Sequence, residues 1–156
     1  MKDKLLISGT IESGWTSIKF QCGDDNLEIR TSYIFDGLTN FLTAISLLNK
    51  GFCETEISLI DEPTEHILYF KKTEQSDEIN IKFYKFENFN GRPLVDRKTE
   101  NHGPNFEIAT NLKRLTIQVY NLFEDFMQSY GLNGYEEKWR HKFPIDKLKE
   151  LKNNWR

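Results

Sequence analysis

Residues 36–50, DGLTNFLTAISLLNK, place the strongest demand on what this chain can fold into. Leu38, Leu42, Ile45 and Leu48 recur at helical intervals, and Phe41, Ala44 and Leu47 widen the apolar face. Asp36 precedes the run, where a carboxylate can accept from the free amides of a first helical turn. Gly51 follows it and suits the left-handed position that ends a helix, while Lys50 sits where the helix dipole favours a cation. At 1.5 Å per residue such a helix is roughly 22 Å long, enough to cross a small sheet. A helix of this length is not stable alone in water. Its broad apolar face therefore predicts cover from strands on both sides of it in the chain.

Short alternating segments supply those strands. Residues 4–12 and 15–21 read as a hairpin around Ser13-Gly14, and residues 27–34 follow the turn at 23–26. Beyond Gly51, strands are predicted over 54–60, 66–72 and 78–87. Asp61-Glu62-Pro63-Thr64 makes the first turn between them, since proline presets one dihedral and cannot extend a ladder. In 78–87, Ile79, Ile81 and Phe83 share one face, while Tyr84 and Phe86 lie on the other, so the far end is expected to be covered on both sides. Residues 88–105, rich in Gly, Pro, Asn and charge, read as a long surface loop. A final short strand is expected over 106–110. Asn111 then caps a helix over 112–130 that Gly131 closes, and shorter helices follow over 135–141 and 145–153.

The expected fold is α+β, with residues 1–156 as a single domain. A single antiparallel sheet of about six strands carries the two main helices on one face. The short C-terminal helices close an edge or end of that sheet.

Chemistry is sparse. Cys22 and Cys53 match no metal or redox spacing, and His66, His102 and His141 show no ligand pattern. No phosphate-binding glycine loop or serine elbow is present, so no catalytic residue, metal or cofactor is assigned. The net charge is only -3, which disfavours a nucleic-acid partner. No apolar run reaches membrane-spanning length and the N-terminus lacks a signal segment, so a cytoplasmic location is expected.

Charge placement says more. Between Phe52 and Glu65 lie five acids, Glu54, Glu56, Asp61, Glu62 and Glu65, and no base; from Lys138 to Arg156 seven bases meet only two acids. Solvated faces that attract each other are the plainer account. The functional account makes the five acids a surface that steers a basic protein partner. Trp139, Phe143 and Trp155 interleave with the basic tail, in a spacing that also fits packing.

Tyr135-x-x-x-Trp139-x-x-x-Phe143-Pro144 with Leu148 and Leu151, the upstream Ser32-Tyr33, the 36–50 helix and the Glu62-Pro63 turn together resemble a group of small uncharacterised bacterial proteins. These have the size and architecture of immunity proteins of polymorphic and contact-dependent toxin systems. The resemblance implies a non-enzymatic protein-binding domain whose partner is a basic toxin domain. It carries over no functional residue. The alternative is a small-molecule-binding or enzymatic domain with a pocket between sheet and helices. Homo-oligomerisation through a sheet edge is compatible with either.

Overall fold

The computed structural model describes residues 4–97 and 102–155. Its first unit is a meander of β1 (Leu5–Glu12), β2 (Trp15–Cys22) and β3 (Asp25–Ser32). Helix α1 (Gly37–Asn49) follows, then a second meander of β4 (Glu54–Asp61), β5 (Thr64–Lys72) and β6 (Glu78–Phe86). A long connection containing a 3-10 turn at Leu94–Asp96 leads to β7 (Phe106–Asn111), α2 (Leu112–Trp139) and α3 (Ile145–Asn154). The α+β class and the antiparallel pairing are as the sequence predicts.

The number of sheets is not. The strands form two antiparallel sheets, β1-β2-β3 and β4-β5-β6-β7, instead of one sheet of about six. Where the two approach each other, the Ile60 amide donates to the Thr31 side-chain Oγ1 at 3.1 Å. A side-chain acceptor thus stands where a continuous sheet would need a backbone carbonyl. The first turn of α1 enters at the same place, with Gly37 against the Leu59 side chain. Periodicity reports which residues face inward; it does not report whether two meanders share a ladder.

Helix α1 is the pillar between the sheets. Leu38, Phe41, Leu42 and Ile45 are fully buried. An aromatic chain crosses the core through it: Phe83 of β6 meets Phe20 of β2 at 5.0 Å between ring centroids, Phe20 meets Phe41 at 6.1 Å, and Phe41 meets Phe70 of β5 at 6.0 Å. Such pairs add roughly 0.5–1.5 kcal/mol each beyond the area they bury. Asp36 caps the helix as expected, accepting from the Thr39 amide at 3.2 Å, and the same oxygen accepts from the Trp139 indole at 3.0 Å. The N-terminus of α1 is thereby tied to the far end of α2.

Helix α2 lies along β1. Its backbone breaks at Gly131, whose φ of 70° and ψ of 174° are non-helical, so the predicted helix to Tyr130 and the shorter helix after it meet end to end. Close packing on β1 depends on Gly9. A Cβ there would stand 2.9 Å from the Ser17 carbonyl and 3.3 Å from both Leu122 and Phe126 of α2. The aromatic tail closes the core: Tyr135 and Trp139 are fully buried, and the Phe143 ring packs edge-on against Tyr135 at 5.0 Å.

Residues 88–97 differ from a free surface loop. They lie over the outer face of the four-stranded sheet, where Ile67, Tyr84 and Phe86 form a second small core with Tyr69 and Leu94 packed against it. Residues 98–101, within the same predicted loop, lie outside the described residues.

Candidate functional site

Three segments meet at one corner of the molecule. They are the link from β3 to α1 (Tyr33, Ile34, Phe35), the β4–β5 turn (Glu62, Pro63) and the start of the loop after β6 (Asn88, Phe89). Backbone bonds anchor them. The Phe89 amide donates to the Pro63 carbonyl at 2.8 Å, and the Tyr33 amide to the Gly14 carbonyl at 2.9 Å. The Glu62-Pro63 peptide bond is cis.

The corner exposes apolar surface that this fold does not need outside. Ile34 is 50% exposed, Phe35 47% and Phe89 41%. The Phe35 and Phe89 rings touch, with centroids 5.4 Å apart. With Ile60, Glu62, Pro63 and Asn88 they line an open groove of about 600 Å³. Isolated apolar residues on a surface are ordinary; a contiguous aromatic patch with a polar rim is the usual form of a protein contact site.

The five predicted partner-binding acids separate into two groups. Glu54, Glu56 and Glu65 lie on the outer face of the four-stranded sheet and bind the protein's own groups. Glu54 accepts from the Tyr69 hydroxyl at 2.8 Å. Burial and that hydrogen bond push the Tyr69 phenol up to about 12. Glu56 accepts from the Leu94 amide at 3.0 Å, tethering the loop while its side chain remains exposed. Glu65 is fully buried. It accepts from Ser58 Oγ at 2.5 Å and from the Asn90 amide at 3.4 Å, and it pairs with the Arg97 guanidinium. Arg97, also fully buried, stacks 3.8 Å above the Phe86 ring and donates to the Asn88 carbonyl at 3.2 Å. Glu65 is therefore the anchor of the loop and presents no carboxylate to a partner in this conformation. Nothing in a row of acids distinguished that role from a solvated one, because the partner cation lies 32 residues away.

Asp61 and Glu62 form the second group, at the hairpin tip beside the apolar corner. Asp61 also lines a polar groove of about 340 Å³ with Glu28, Arg30, Thr64, His66 and Lys85. Burial holds the His66 imidazole below its usual pKa, with Lys85 acting in the same direction and Asp61 against it. Among the described residues no group of three or more His, Cys, Asp or Glu side chains is arranged to hold a metal ion. No helix there is long and apolar enough to cross a membrane.

Part of the basic tail is engaged with the protein itself. Arg140 lies over the Tyr33 ring at 5.0 Å, Lys152 over Trp155 at 4.5 Å, and Lys50 pairs with Glu150. The apolar corner was not singled out from the sequence, where Ile34 ends a predicted strand and Phe89 lies within the predicted 88–105 loop.

No family model matches this chain. No curated protein matches it either. Among solved structures, it is similar to a chain of one described as a CdiA-CT/CdiI toxin and immunity complex from Enterobacter cloacae, with a TM-score of 0.49 and 10% identity over 77% of this chain and 97% of that chain. A likeness of that strength identifies neither a family nor a function.

Proposed function

We propose that this chain is a protein-binding domain whose contact face is the corner formed by Ile34, Phe35 and Phe89, rimmed by Glu62 with Asp61 next to it in the chain. The observation that carries the reading is the pair of touching, half-exposed phenylalanines on two segments, one bonded through Tyr33 to Gly14 and the other through Phe89 to Pro63. Two aromatic side chains fixed in this way cover a large area at little further cost in conformational freedom, as binding anchors do. The acidic rim favours encounter with a basic partner. In its sharpest form the proposal is an immunity-type protein that neutralises a basic toxin domain, a version that comes from the sequence resemblance. At the centre of the packing between sheets and helices, Phe20, Phe41, Phe70 and Phe83 fill the space that a buried small-molecule pocket would need.

The test is affinity capture from the native host with the wild type and with Phe35→Asp and Phe89→Ser variants. The expected result is one basic protein, encoded beside this gene, retained by the wild type and lost from both variants. Co-expression of that protein with the wild type should relieve growth arrest, and co-expression with Phe35→Asp should not. Identical capture by all three proteins, or a neighbouring gene whose product neither binds nor harms the host, would sink the proposal.

A further inference from the structure

Strand β4 ends the four-stranded sheet, and among the described residues no strand pairs with its outer edge along residues 54–58. The direction of its backbone groups follows from two bonds. The Lys72 amide donates to the Cys53 carbonyl at 2.8 Å, which places residue 53 in a hydrogen-bonded pair with β5. The Ile60 amide points the other way, to Thr31 Oγ1. Since backbone groups alternate along an antiparallel strand, Thr55, Ile57 and Leu59 bond to β5, whereas Glu54, Glu56, Ser58 and Ile60 present their N–H and C=O groups outward. Thr31 satisfies the amide at Ile60. Beyond it, a groove of about 390 Å³ runs between the residue 54–58 edge and the Asn40, Thr43 and Leu47 side of α1. Phe52, 54% exposed, lies at its mouth, and the buried Thr55 Oγ1 beside it has no hydrogen-bond partner.

We infer that this edge is a second contact surface, which takes an extended segment of a basic partner protein as an added strand. The inference stands apart from the apolar corner and does not require it. Charge selects the occupant. Glu54 and Glu56 are exposed, each accepts a single hydrogen bond from a neutral donor, and no cation lines the groove. An incoming strand with Lys or Arg at alternate positions meets these carboxylates across the new ladder, and its backbone meets the outward amides. A second copy of this chain is the wrong occupant. Antiparallel self-pairing centred on Glu56 would set the two Glu56 side chains directly opposite each other, a like-charge pair that destabilises a ladder.

The probe is a seven-residue acetylated peptide alternating Lys and Val, titrated into the full chain while backbone amide shifts and hydrogen exchange are followed by NMR. In the free protein the Glu56 and Ser58 amides should exchange much faster than those of Thr55 and Ile57. Saturating peptide should slow the first pair by tenfold or more and leave the second unchanged. A Glu/Val peptide should give no protection, nor should the Lys/Val peptide N-methylated on its pairing edge. The Glu54→Gln/Glu56→Gln variant should bind the Lys/Val peptide about tenfold more weakly. The Phe35→Asp variant, which disables the apolar corner, should keep the full protection. The inference is overturned if the Glu56 and Ser58 amides are already protected in the free protein, if the N-methylated peptide protects equally well, or if Phe35→Asp abolishes the effect.

Discussion

The two sheets end in edges that are treated in opposite ways. The outer edge of β1 is sealed by side chains of α2. Arg114 Nε donates to the Leu5 carbonyl at 2.8 Å, Gln118 Oε1 accepts from the Ile7 amide at 3.0 Å, and the Tyr130 hydroxyl accepts from the Ile11 amide at 3.0 Å. These residues are spaced along α2 so that Leu5, Ile7 and Ile11 of β1 each find a partner. Among the described residues the edge of β4 has one such bond, from Ile60 to Thr31, and none from Ser58 to Glu54. Exposed edges invite pairing with other chains, and proteins generally cover them or charge them. Here one edge is covered and the other charged. A sealed edge contributes stability; an open, acidic edge leaves room for a chosen partner while discouraging a copy of itself.

The largest effect is expected where the open edge is braced from behind. Arg97→Ala leaves the buried Glu65 without its cation, and removing one partner of a buried pair costs about 3–5 kcal/mol. Urea denaturation should register that loss. Replacing both groups, as Glu65→Gln with Arg97→Met, should recover most of it, because no uncompensated charge remains. If the single variant costs less than about 1 kcal/mol, the loop is not the brace of this sheet.

Next comes the sealed edge. Gln118→Leu keeps the bulk of the side chain but leaves the buried Ile7 amide without an acceptor, a loss of about 1–3 kcal/mol. Tyr130→Phe removes the corresponding bond at Ile11, in a less buried setting, and should cost about 1 kcal/mol or less. Equal effects from the two would mean that packing of α2, and not its hydrogen bonds, closes this edge.

A proline pair sharpens the contrast. Thr55→Pro removes an amide bonded to β5 and should cost about 3 kcal/mol. Glu54→Pro removes an outward amide at the start of a strand, a position where proline is tolerated, together with the exposed bond from Tyr69, and should cost about 1 kcal/mol or less. Thermal melts of the two variants decide the point. Comparable losses would show that the outward amides are not free and that the edges do not differ.

What could be read from the chain follows from the range of the interactions. Local chemistry was legible: the Asp36 cap, the turns at Ser13-Gly14 and residues 61–64, the break at Gly131 and the helical face of Leu38, Leu42 and Ile45 all depend on neighbours within a few residues. Tyr84 and Phe86 on the second face of β6 correctly signalled cover on both sides, because period-two alternation fails only where both faces are buried. The division into two sheets was not legible, since it depends on Thr31 meeting Ile60 across 29 residues. The role of Glu65 was hidden for the same reason. The apolar corner escaped notice because Ile34 and Phe35 look like core residues in a sequence and Phe89 lies 54 residues from Phe35, so that only the assembled fold brings them together outside.

The smallest effect concerns pH and the hairpin that carries the open edge. His66 faces Leu59 of β4 across the ladder and Lys85 of β6 on its other side. Its folded pKa lies below the ordinary 6.5, first because it is buried and second because of Lys85, with Asp61 opposing. A histidine whose folded pKa is depressed binds its proton more readily in the unfolded chain. Its neutral form therefore stabilises the fold fully above about pH 6.5, and that contribution falls as the pH drops below 6.5 towards the lower folded value. His66→Gln should flatten the stability profile in that window and leave it unchanged above pH 7, as denaturant melts at a series of pH values would reveal. If His66 loosens the hairpin on protonation, amide exchange in β4 and β5 should quicken in the same window while β1, sealed by α2, stays protected. Parallel quickening in both sheets would instead mean that the two edges belong to one cooperative unit, in which the difference between them is one of partner access alone.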